Sequence, residues 1–155
     1  YAHKNLNILN ASRDITLRAG ASVLSATFYN DVLTIVSAGA CHAYLVRQGY
    51  LKKLVIPDSM DFFTTDEHEI SQCHSPLSGL GLFEDLHLQI RECRLAKGDL
   101  VVFLTDGAFS RLDEEELRFL MNKKTVSEIE SIEEVFELCN QRGNKDNQSA
   151  IILQF

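Results

Sequence analysis

Tight-turn dipeptides set between β-rich runs constrain this chain more than any other sequence feature. From Val23 to Phe28 the residues alternate (Val23, Ser25 and Thr27 against Leu24, Ala26 and Phe28), and a second run, VLTIVSA, begins at Val32. Between them stands Asn30-Asp31, two residues that tolerate positive φ, so the pair predicts a tight β-hairpin. AYLVR (Ala43–Arg47), Gln48-Gly49 and YLKKLVI (Tyr50–Ile56) predict a second hairpin. Pro57 ends that strand because it has no N–H for the ladder. LHLQIREC (Leu86–Cys93), a turn around Lys97-Gly98, and DLVVFLT (Asp99–Thr105) predict a third. Residues 58–80 read as a loop with room for a short helix, and residues 1–18 as a weak N-terminal helix.

The pattern then changes from period two to helical spacing. Asp113 with Glu116, and Ser127 with Glu130, have the spacing of a capping box, so each pair marks a helix start. In the second helix Ile129, Ile132, Val135, Phe136 and Cys139 fall on one face, and Gly143 is placed to end it. QSAIILQF closes the chain as a last strand. Hairpins, two helices and a strand, with no strand–helix alternation, exclude a doubly wound parallel sheet. They predict an α+β fold, an antiparallel β-sandwich with helices packed on the outside.

Composition excludes several functions. The 155 residues suit one domain, 1–155, with a core that needs no staples. No run approaches the roughly 20 apolar residues of a membrane helix, and YAHKNLNILN lacks a signal peptide's apolar core. The net charge of −7 argues against a nucleic-acid backbone as partner. Nine acids and three bases between Asp113 and Glu137 hold −6 of it, which reads as the solvated face of two helices, with an acidic docking patch for a basic partner as the other reading. Four widely spaced cysteines, Cys41, Cys73, Cys93 and Cys139, fit a reduced, cytoplasmic protein.

Two carboxylates stand where chemistry could sit. Asp106 follows the most apolar strand in LTDGAFSR, and Asp146-Asn147 precedes the last strand in GNKDNQSAIILQF. Pairing of those two strands would bring Asp106 and Asp146 to one rim of a sheet. Carboxylates brought together repel unless a cation lies between them, and an oxygen-only set suits Mg²⁺ or Mn²⁺. The other reading makes each Asp a local turn or cap residue. Two Cys-His dipeptides, Cys41-His42 and Cys73-His74, are poor zinc candidates, because adjacent strand residues point to opposite faces. They read instead as a buried small residue beside an exposed His. No motif stabilises a thiolate for nucleophilic catalysis. A general-acid role for His68 or His87 has no support, and SGLG, with Gly79 and Gly81, is too sparse to cradle phosphate.

Much of the chain, roughly residues 18–155, resembles the metal-dependent PPM-type (type 2C) serine/threonine protein phosphatases. The carrying stretches are AGASVLSATFYNDVLTIVSAGACHAYLVRQGYLKKL, similar to that family's central double hairpin; SPLSGLG; GDLVVFLTDGAFSRLDEEEL (Gly98–Leu117); and RGNKDNQSAIILQF (Arg142–Phe155). The resemblance implies Asp106 and Asp146 as ligands in a centre of two Mn²⁺ or Mg²⁺ ions. Water activated there would attack a phosphoserine or phosphothreonine protein in line, with no phosphoenzyme. It further implies that Gly107 lets the chain turn close to the site, that Asn147 supports the loop of Asp146, and that a monomer is a cytoplasmic signalling hydrolase. The chain departs from the family where Gly39-Ala40-Cys41-His42 replaces the usual Gly-Asp-Ser-Arg. No Asp-Gly pair precedes Asp106-Gly107, and the family's phosphate-gripping Arg has no counterpart. Both would lie in N-terminal strands ahead of Tyr1. The alternative is a degenerate phosphatase-like domain that binds a signalling partner.

Overall fold

A computed structural model describes residues 1–56, 77–122 and 127–155. The chain contacts divide into two compact units. One carries helix α1 (Ala2–Asn10) and strands β1 (Val23–Tyr29), β2 (Val32–Ala38) and β5 (Gln89–Arg94), in the sheet order β1-β2-β5. The other carries β3 (His42–Arg47), β4 (Tyr50–Val55), β6 (Leu100–Leu104), α2 (Glu114–Met121), α3 (Glu128–Gln141) and β7 (Ala150–Gln154), in the order β4-β3-β6-β7. The fold class is α+β with antiparallel sheets and helices, as the sequence predicts.

The first two hairpins form as expected. Asn30 and Asp31 take φ of 48° and 62°, and Gln48 and Gly49 take 52° and 82°, the doubly left-handed turn whose twist matches the flanking strands. The weak N-terminal helix resolves into α1 and a separate 3₁₀ turn, Ile15–Leu17. Residues 58–76, with His68 and Cys73-His74, lie outside the described residues.

The third predicted hairpin does not form. A turn does fold around Lys97-Gly98, with the Asp99 N–H donating to the Ala96 carbonyl at 3.1 Å. It passes the chain from the first sheet to the second instead of returning β6 onto β5. Every residue of β6 is buried, whereas β5 is mostly exposed. A strand buried on both faces needs a partner at each edge, and β3 and β7 supply them.

The second unit's core lies between one face of its sheet and the two helices. Tyr44, Val46, Leu100, Val102 and Leu104 meet Leu117, Leu120 and Met121 of α2, with Ile132 and Val135 of α3. Both predicted capping boxes are complete, Asp113 with Glu116 and Ser127 with Glu130. At the other end of α3, Gly143 turns left-handed at φ 81°. The Asn144 N–H then reaches the Cys139 carbonyl and the Gly143 N–H that of Asn140, each at 3.0 Å, closing a Schellman motif. The predicted apolar face of α3 holds except for Ile129, which is exposed.

Candidate metal centre

The site begins with the pairing of β6 and β7. Leu104 stands opposite Ala150, and the ladder runs one step further: the Thr105 N–H donates to the Ser149 carbonyl at 3.1 Å, and the Ser149 N–H to Thr105 Oγ1 at 3.0 Å. The end of one strand therefore lies against the start of the next. Beyond Thr105 the chain enters a 3₁₀ turn, Asp106–Ala108. Before Ser149 it runs through the loop of Asp146 and Asn147.

Gly107 shows how close these two segments come. A Cβ on Gly107 would stand 2.5 Å from the Asn147 carbonyl oxygen and 3.1 Å from the Asp146 Cβ. Only a residue without a side chain leaves room for this approach. The two sequence-predicted aspartates are thus carried by adjoining segments, Asp106 half-buried and Asp146 exposed.

Other residues, absent from the sequence reading, shape these segments. Asn144 forms an Asx-type loop: its Nδ2 donates to the Asp146 carbonyl at 2.9 Å, and its Oδ1 accepts from the Asp146 N–H at 3.3 Å. Gln148 Nε2 donates to the carbonyls of Gly107 at 3.1 Å and Phe136 at 3.2 Å, tying the Asp106 turn to α3. The cue for Asn144 was its position two residues before Asp146; nothing local marked Gln148. The Asn147 backbone carbonyl faces Gly107, and its side chain is exposed.

His42 reverses its sequence expectation: it is buried, at 7% exposure, and Cys41 is half-exposed. Strand β3 is buried on both faces, so its first residue goes inside whichever way it points. The imidazole stacks on Phe109 with ring centroids 3.6 Å apart, and its Nδ1 bonds the Tyr44 hydroxyl at 2.6 Å. Burial, helped by nearby Lys53, pulls its pKa down to about 3 and keeps the ring neutral.

The donor chemistry suits a hard divalent cation. Asp106 Oδ1 accepts from the Gly107 N–H at 2.9 Å, which leaves Oδ2 available, and among the described residues no side chain pairs with the Asp146 carboxylate. Among the described residues no third His, Cys, Asp or Glu joins them in a group able to hold a metal. Two carboxylates make part of such a site.

Antiparallel sheets β1-β2-β5 and β4-β3-β6-β7 with their helices have the fold of the PPM-type serine/threonine phosphatases. Three solved structures carry that likeness. PppA of Pseudomonas aeruginosa, a key regulatory component of T6SS, superposes with a TM-score of 0.81 at 19% identity, over 98% of this chain and 64% of its own. The S. agalactiae serine/threonine phosphatase gives 0.79 at 17% identity, over 99% and 66%. The catalytic domain of the phosphatase PstP, solved with two manganese ions, gives 0.73 at 18% identity, over 97% and 65%. The chain therefore spans about two-thirds of the length of these proteins. No family model matches the chain, and no curated protein matches it.

Proposed function

We propose that this chain carries part of the metal site of a PPM-type protein serine/threonine phosphatase dependent on Mn²⁺ or Mg²⁺. The observation that supports this most directly is the close approach of Gly107 to the Asp146-Asn147 loop. It brings together the segments that carry Asp106 and Asp146, a packing that a turn or cap role alone would not need. The two manganese ions of the PstP structure fit the same reading.

In this reading Asp106 and Asp146 hold a divalent ion through carboxylate oxygens. Gly107 lets the two loops close on each other, and Asn144 and Gln148 hold the carboxylates' backbone in place. The bound ions would supply Lewis-acid activation of water and neutralise charge on a phosphoryl group. The substrate would be a phosphoserine or phosphothreonine protein. The remaining ligands would come from outside the described residues.

The test is hydrolysis of an aryl phosphate by the polypeptide that contains this chain together with those ligands. Mn²⁺-dependent activity, abolished by Asp106→Asn, is expected. Activity that survives this change, or needs no divalent ion, would sink the assignment. The 155 residues alone should show weak or no turnover; robust turnover would remove the need for further ligands.

A second reading has its own support. Ala40 stands where the family's hairpin has Asp, and the described residues contain no three-donor group. A degenerate domain of this kind would bind a signalling partner. It would bind no Mn²⁺ even in the longer polypeptide, which separates the two readings.

A further inference from the structure

His42 is a costly residue to place where it is. Its ring is buried, and Nε2 has no hydrogen-bond partner among the described residues. A buried polar atom left unpaired is destabilising, and an apolar side chain at the head of β3 would avoid that. The position is also one at which the chain departs from the family it resembles, with His42 in place of Arg.

The ring's neighbours indicate what offsets this cost. In the β3–β6 register His42 stands opposite Leu104, the last residue before the chain leaves β6 for the Asp106 turn. Tyr44, two residues along the same face, meets the imidazole edge-on at 5.1 Å between centroids and 90°, and its hydroxyl bonds Nδ1. The ring is thereby held in one orientation. Against its flat face lies Phe109, at 3.6 Å and only 15° from parallel. Phe109 closes the turn that bears Asp106: its N–H donates to the Asp106 carbonyl at 3.1 Å, and the Ser110 N–H donates to the same oxygen at 2.8 Å.

We propose that His42 is a positioning residue for Asp106, a plate fixed by Tyr44 on which Phe109 lies and holds the Asp106 turn. Among the described residues no hydrogen bond joins the ring to either aspartate. It acts through Phe109, and its neutral state places no charge beside the turn. The proposal rests on the reading of Asp106 as a metal ligand.

Two measurements test it separately from that reading: amide hydrogen exchange at Phe109 and Ser110, and Mn²⁺ affinity by calorimetry in the polypeptide that holds this chain together with the remaining ligands. Loss of one ring from a stacked pair should speed exchange at these two amides roughly two- to tenfold relative to the β6 amides. His42→Ala should do this and weaken Mn²⁺ binding by a similar factor. Phe109→Leu, which removes the stack from the other side, should have the same effect and covers the case in which His42→Ala does not fold. His42→Phe keeps a flat ring but loses the Tyr44 bond to Nδ1, so it should fall between the wild type and His42→Ala in both measurements. Unchanged exchange at Phe109 and Ser110 in a folded His42→Ala or Phe109→Leu protein overturns the proposal. So does a His42→Phe variant as impaired as His42→Ala. A wild-type polypeptide that holds this chain together with the remaining ligands and binds no Mn²⁺ overturns the metal-ligand role, while exchange still decides whether His42 holds the turn.

Discussion

Gly107 and Asn147 sit so close that a methyl group on the glycine would stand 2.5 Å from the Asn147 carbonyl oxygen. The atom it would strike is backbone, held by the pairing of β6 and β7, and cannot swing aside. Gly107→Ala must therefore push the two loops apart. We expect a loss of about 1–3 kcal/mol, the usual cost of overpacking, measured by urea unfolding. Mn²⁺ affinity should fall with it; wild-type stability in the variant would mean that the loops separate freely.

Divalent ions should stabilise the folded polypeptide that holds this chain and the remaining ligands by mass action, because the segments that carry Asp106 and Asp146 adjoin only when β6 and β7 are paired. Thermal unfolding with increasing Mn²⁺ should show a rising Tm. Asp146→Asn should abolish the rise while leaving the metal-free Tm within a few degrees, since Asp146 is exposed. An equal rise in the variant would place the ion elsewhere.

Acid should destabilise the protein through two carboxylates. Asp99, at 2% side-chain exposure, accepts from Arg47 Nε at 2.7 Å and from the Ala96 N–H at 2.7 Å, and the Arg47 bond holds its pKa below the usual range. The Arg142 guanidinium, with the Asp113 N–H of the capping box, lowers Glu116 to about 2. Both folded pKa values lie below the unfolded ones, so the stability they add is complete above about pH 5. It is lost as pH falls through the folded values. Urea midpoints between pH 5 and pH 2 should decline, and Asp99→Asn should lower the midpoint at pH 5 and flatten the decline.

Ser127 begins α3 by accepting the Glu130 N–H at 3.2 Å, while the Glu130 carboxylate accepts the Ser127 N–H at 2.7 Å. Ser127→Ala removes one half of that exchange. A loss of about 1 kcal/mol is expected, read as a lower Tm with no change in Mn²⁺ affinity. A change in affinity would show that α3 sets the site through Gln148 more tightly than its two hydrogen bonds indicate.

Local rules made much of this protein legible in its sequence. Asn30-Asp31 and Gln48-Gly49 adopt the left-handed φ that their side chains tolerate, and Asp113, Ser127 and Gly143 mark helix ends because each satisfies a backbone group within a few residues. The rim shared by Asp106 and Asp146 also followed, since it needed only one pairing between two strands whose ends were already marked. Tertiary structure decided what depends on which element covers which. The Lys97-Gly98 turn looks the same in sequence whether it closes a hairpin or crosses between sheets; complete burial of β6 sends it across. Cys41-His42 cannot announce its inward residue, because β3 is buried on both faces and alternation then carries no signal. Ile129 keeps helical spacing yet stays exposed, since the core ends at Ile132. Hydrogen bonds over short sequence distances are written in residue type, whereas burial is a property of partners that lie far along the chain.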